Sequence, residues 1–151
     1  MIKTLEDNDV CQAINLMNHS IKNNEYNPYP RNERCWIQHL LAHIEMCKND
    51  PKYIAIGDFE GEWLKGFLLA SAYRNYYTQE LVMDVKDCIV NPEVNNVYTV
   101  TRLFNFMIDH LEYHGGRYWR ADSIASSSPE YVEFLKKKYN AVPFHGVHGE
   151  I

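Results

Sequence analysis

The stretch from Leu81 to Ile124 constrains the fold more than any other part of the chain. Leu81 to Val90 reads as a strand that Asn91-Pro92 ends. From about Asn95 or Asn96 a helix then runs through Val100, Leu103, Phe104, Met107, Ile108 and Leu111, spaced by helical steps. Gly115-Gly116 stops it, because glycine takes the left-handed C-cap conformation at little cost. Arg117 to Ile124 is strand-like again. Two strands joined by a crossover helix in one sheet form a right-handed parallel unit. Along the first strand, alternation sets Glu80, Val82, Asp84, Lys86 and Cys88 against Leu81, Met83, Val85, Asp87 and Ile89, which places the acids on two different faces.

Helices and a hairpin precede this unit. Val10, Ala13, Ile14, Met17 and Ile21 recur at helical steps between Asp7 and Ile21, and Asp7 or Asn8 can cap the first amides. Asn23 to Arg31 carries Pro28 and Pro30 and cannot continue that helix, since proline lacks the amide donor and constrains its predecessor. Trp36, Ile37, Leu40, Leu41, Ile44 and Cys47 mark a second helix that stops near Asn49-Asp50-Pro51. Lys52 to Asp58, a turn at Glu60-Gly61, and Trp63 to Tyr73 read as a hairpin in which Gly66 marks a bulge, and Met1 to Leu5 can add a short first strand. At the other end, Ser126-Ser127-Ser128-Pro129 caps a last helix, Glu130 to Tyr139, with Tyr131, Phe134 and Leu135 facing inward, before an extended piece over 141–151. The expected class is α/β: a mixed, mostly antiparallel sheet with helices on both faces. The chain has 151 residues, 46% of them hydrophobic, and no repeat or linker, so one domain over 1–151 accounts for it.

A domain of this size needs no disulfide or metal staple. Cys11, Cys35, Cys47 and Cys88 stand far apart without a C-x-x-C pair, and no secretory segment precedes them, which reads as reduced thiols in a cytoplasmic protein. No stretch approaches the ~20 apolar residues of a membrane span. Fifteen Lys and Arg against 20 Asp and Glu give a net charge of -5, a field that disfavours general nucleic-acid binding. The run Lys136, Lys137, Lys138 reads first as a solvated helix face. His39 and His43, like His110 and His114, have the i,i+4 spacing that can place two imidazoles on one metal. Neither pair has the glutamate of H-E-x-x-H, so they read as helix-surface histidines and no metal is expected. Neither a G-x-S-x-G nucleophile elbow nor a phosphate-binding Walker loop occurs.

Two segments carry a family resemblance: Cys88-Ile89-Val90-Asn91-Pro92 leading into a helix, and Pro129 to Val142 with its Phe134-Leu135-Lys136 core. On these, and over nearly its whole length, the chain resembles the GNAT superfamily of acyl-coenzyme A-dependent N-acyltransferases. The first segment is similar to that family's fourth strand and the turn after it, the second to its last helix. The second is also similar to small acetyltransferase-like proteins of tailed phages, which would place the chain in a host cytoplasm or a virion.

The resemblance implies acetyl-coenzyme A as co-substrate and an amine, on a small molecule or a protein, as acceptor. It implies a pantetheine arm lying along Cys88, Ile89 and Val90, and a pyrophosphate at Asn95, Asn96, Val97, Tyr98, Thr99 and Val100. The family's turn carries glycines that let the backbone approach phosphate, whereas Glu93 to Val100 has none and relies on asparagines that tolerate left-handed geometry. A carboxylate on the fourth strand would take the proton of the incoming ammonium. Asp84 is the expected base, Glu80 and Asp87 are the alternatives, and the plain reading of Asp84 is a solvent-facing acid. The family's last-helix tyrosine falls at Phe134 or Leu135, which leaves Tyr139 as acid from a shifted turn, or as an aromatic sealing the helix end, with Tyr131 the other nearby phenol. Tyr26, Tyr29 and Arg31 would cover the acceptor site, or Tyr29 and Trp36 would pack over a small satellite core. The rival reading is a non-catalytic GNAT-fold interaction protein that has lost coenzyme use. Tyr26, Tyr29, Tyr73, Tyr76 and Tyr77 would then meet a protein partner or a second copy.

Overall fold

A computed structural model describes residues 1–22, 32–94, 96–121 and 129–143. The elements run β1 (Ile2–Thr4), a 3-10 turn (Asp7–Asp9), α1 (Val10–Lys22), α2 (Glu33–Asn49), β2 (Tyr53–Glu60), β3 (Trp63–Arg74), β4 (Leu81–Val90), α3 (Asn96–Tyr113), β5 (Tyr118–Ala121) and α4 (Pro129–Tyr139). Among the described residues they form one five-stranded sheet in the order β1-β2-β3-β4-β5. Every neighbouring pair is antiparallel except β4 with β5, which is the parallel unit expected from the strand-helix-strand order. The expected Ser126-Ser127-Ser128 cap, the far end of the last strand at 122–124, and the tail at 144–151 lie outside the described residues.

Local chemistry sets the element boundaries. The first helix begins differently from expectation. Its entry is fixed by Asp9, whose carboxylate accepts the Glu6 amide at 2.9 Å, and not by Asp7 or Asn8. Asn32 caps α2 by accepting the Cys35 amide at 3.1 Å. Asn140, at φ 51, closes α4 in the left-handed conformation that asparagine tolerates. Between β2 and β3, Asp58 faces Gly66 while Phe59 faces Leu64, so Lys65 is the extra, bulged residue and Gly66 stands beside it.

The sheet divides two cores. Leu40 and Ile44 of α2 and Ala13, Ile14 and Met17 of α1 pack on Ala55, Phe67, Leu69 and Ile89. Val100, Leu103, Phe104 and Met107 of α3, with Leu135 of α4, pack on Ile56, Leu68, Met83, Val85 and Cys88 on the other face. Gly66 lets α3 close on the sheet, because a Cβ there would stand 2.9 Å from the Ile89 carbonyl oxygen, 3.0 Å from Thr99 Cγ2 and 3.1 Å from Val90 Cα. Gly66→Ala is therefore expected to cost about 1–3 kcal/mol of overpacking, read as a lower urea midpoint at unchanged slope.

Candidate active site

The site is set by an irregularity in β4. Leu69 of β3 faces Asp87 and Ala70 faces Val85, so Lys86 is looped out of the ladder. One extra residue reverses the side-chain parity. Met83 and Val85 point to the α3 core before the bulge, and Cys88 does so after it, while Ile89 joins the α1–α2 core. Asp84 and Asp87 thus share the α1–α2 face. This corrects the expectation that simple alternation separates them.

The bulge also orients the backbone. The Asn91 amide donates to the Lys65 carbonyl at 2.8 Å. Hydrogen-bonded and non-hydrogen-bonded pairs alternate along an antiparallel ladder, so Ile89 is bonded to β3 and the amides of Cys88 and Val90 point away from it, toward the β5 side. Described pairing with β5 covers only Val82 to Val85, and among the described residues no strand pairs with the β5-side edge of β4 beyond that point. Two outward amides on an otherwise finished strand suit an extended amide-bearing ligand.

The two carboxylates have different surroundings. Asp84 is buried, contrary to its plain reading as solvent-facing, and sits between Lys86 Nζ at 2.5 Å and Arg120 Nε at 3.3 Å. Asp87, with 18% of its side chain exposed, has His39 Nε2 at 3.9 Å. Burial pushes the Asp87 carboxyl up to about 7, against a smaller downward pull from Lys86. Glu80, the third candidate, is a half-buried partner of the exposed Arg117 at 3.3 Å. His43 is not the surface residue expected: it is buried, with Nε2 at 3.0 Å from the carbonyls of both Ile54 and Ala70, so it carries its proton there and donates to them. Among the described residues no group of His, Cys, Asp and Glu could hold a metal ion.

On the α3 face, Tyr131 of α4 reaches β4, where its buried hydroxyl interacts with the Cys88 thiol. Burial pushes the Cys88 thiol up to about 12 and the Tyr131 phenol well above its ordinary value, so both stay protonated. Tyr139 is turned to α3, donating to Asn105 Oδ1 at 3.0 Å and to the Thr101 carbonyl at 3.3 Å, with its ring 5.5 Å from Phe104.

The turn after β4 is closed by Asn91, whose side chain accepts the Glu93 amide at 2.9 Å and whose carbonyl accepts the Val94 amide at 3.2 Å. Asn95 is outside the described residues, and Asn96 opens α3. Val97 and Tyr98 are exposed on its first turn, the end that directs amides and positive dipole outward, whereas Thr99 and Val100 are packed inward. Arg102 stands one turn on, 5.5 Å over the Tyr98 ring and 3.3 Å from the fully buried Asp58. Tyr26, Tyr29 and Arg31 lie outside the described residues. Sequence reasoning missed the Lys86 bulge, the His39–Asp87 pair and the Asp58–Arg102 pair. No glycine marks the bulge, and both pairs join distant segments.

No family model matches the sequence, and no curated protein sequence matches it. Solved structures do. The chain matches a transcriptional regulator from Bacillus halodurans with TM-score 0.75 and 13% identity, over 100% of this chain and 99% of that one. It matches a ribosomal-protein-alanine N-acetyltransferase from Brucella melitensis biovar Abortus with TM-score 0.69 and 16% identity, over 100% and 99%. It matches an aminoglycoside acetyltransferase from an uncultured soil metagenome with TM-score 0.68 and 17% identity, over 100% and 94%. The chain has the GNAT fold. Among the described residues, its mostly antiparallel sheet, single parallel pair and helices on both faces are those expected from the sequence. At these identities the likeness extends to the fold alone.

Proposed function

We propose that the chain is an N-acetyltransferase that moves the acetyl group of acetyl-coenzyme A to an amine of a small molecule or a protein. The observation that carries this reading is the bulged β4, which aims the Cys88 and Val90 amides off the sheet while turning Asp87 onto the opposite core's rim. In this reading those amides hold the pantetheine arm and the thioester carbonyl, and the first turn of α3 at Asn96, Val97 and Tyr98 faces the pyrophosphate. Asp87 serves as base in preference to Asp84, because Lys86 and Arg120 already engage both oxygens of Asp84. A carboxyl near 7 is matched to taking a proton from an ammonium at neutral pH. Tyr131 is the α4 phenol at β4 and returns a proton to the leaving sulfur, while Tyr139 braces the aromatic cluster behind it. The protonated Cys88 is no nucleophile, so the acetyl group passes directly to the amine.

Mixing the protein with acetyl-coenzyme A and a panel of aminoglycosides, polyamines and peptide N-termini, and following free thiol, tests the reaction. Thiol release that needs an amine supports it. Release unchanged by every amine, or none, contradicts it. Tyr131→Phe is expected to lower turnover about 10²-fold and leave the KM for the amine near its original value.

One observation favours the rival binding role. Tyr76 and Tyr77 are 83% and 89% exposed on a β3–β4 turn that is tied down by Asn75, whose Oδ1 accepts the Tyr77 and Thr78 amides at 2.9 and 3.2 Å. Such preorganised aromatics suit a protein partner or a second copy. Capture of a partner that is lost on mutating both tyrosines, together with no acetyl-coenzyme A binding, would reverse the order of the two readings.

A further inference from the structure

We infer that Asp87 and His39 work as a proton relay, in which Asp87 receives the proton of the acceptor ammonium and His39 carries it from the sheet face to solvent. The inference rests on the transferase reading above. Asp87 is enclosed on β4, whereas His39 is on α2 with 51% of its side chain exposed, and His39 Nε2 stands 3.9 Å from Asp87 Oδ2. A small side-chain rotation or one water bridges that distance. The helix carrying the imidazole is fixed to the sheet one turn away. His43 donates to the carbonyls of both Ile54 and Ala70, and its ring centroid is 6.0 Å from that of His39.

The surrounding charges favour release. Lys86 beside Asp87, Arg120 and Asp84 one row further along the sheet, the buried His43 and the Tyr53 phenol packed on it are titratable and charged groups around the pair. Burial and then Lys86 hold the His39 imidazole below its ordinary value, so an imidazolium formed there gives up its proton readily at neutral pH. The steps balance. The ammonium loses one proton to the Asp87 carboxylate, the carboxylic acid passes it to neutral His39, and the imidazolium gives it to water, which restores both side chains.

Carboxyl and imidazole NMR titration of the full chain, His39→Gln and Asp87→Asn tests this. A coupled pair shares its titration steps. Asp87 and His39 are expected to show the same two midpoints, and each variant is expected to leave the remaining partner with one. Independent single midpoints that survive removal of the partner would overturn the relay. Where turnover is measured, His39→Gln is expected to lower kcat about 10-fold with KM unchanged and to be rescued by free imidazole. Unchanged kcat, or a loss that imidazole cannot restore, overturns it too. Acetyl-coenzyme A added to the same samples should move the Cys88 and Val90 amide resonances. No movement overturns the transferase reading and leaves the coupling result to stand or fall alone.

Discussion

Asp87→Asn is expected to lower amine acetylation by about 10²- to 10⁴-fold while acetyl-coenzyme A affinity stays within about twofold, since the general base acts on the acceptor and makes no contact that holds the coenzyme. The unsubstituted protein's turnover is expected to rise with pH through about 7, as the carboxyl ionises into its basic form. Stability moves the opposite way. Burial favours the neutral carboxyl, so the folded state binds a proton that the unfolded chain has released between the ordinary carboxylate range and about 7, and stability falls as pH rises across that window. Asp87→Asn removes this ionisation and is expected to unfold at a higher denaturant concentration than the unsubstituted protein at pH 8. A variant that is inactive and also less stable at pH 8 would point to a structural part for Asp87.

Phe104→Ala is expected to have the largest effect on the fold, costing about 3–5 kcal/mol. Phe104 is completely buried on the inner face of α3, and its ring lies 5.3 Å from that of Trp119 on β5, 6.3 Å from Tyr131 and 5.5 Å from Tyr139 on α4. No small shift of β5 or α4 fills the hole, because each already packs on the other elements of this core. Thermal unfolding is expected to move down by about 10 °C, at roughly 2–4 °C per kcal/mol for a chain of this size. A shift under 2 °C would mean that the α3 face tolerates collapse around the cavity.

The elements that local chemistry decides were legible in the sequence. The β4 bounds, Leu81–Val90, match because Asn91-Pro92 cannot extend a ladder, and the α3 stop matches because Gly115 adopts φ 80. What was lost turned on one residue. Lys86 has no φ signature and no glycine, so its looping-out is a tertiary choice, made where β3 and β4 pair while α2 and α3 clamp opposite faces. Every side chain after it changes face, and with it the choice between Asp84 and Asp87 as base. The same distance effect hid His39 and His43. Helical spacing put both on one stripe, but only packing against β2 and β3 buries His43 and leaves its neighbour at the rim. The missing glycines were legible. In their place Asn91 closes the turn, and α3 presents Val97 and Tyr98 at its first turn.

Whether that glycine-free turn still accepts the coenzyme is the central question, and calorimetric titration of the protein with acetyl-coenzyme A answers it most directly. One site per chain, with a dissociation constant on the order of 1 μM to 1 mM, the range of working enzyme affinities, is the predicted result. No heat at millimolar acetyl-coenzyme A, from protein shown to be folded by circular dichroism, would contradict it.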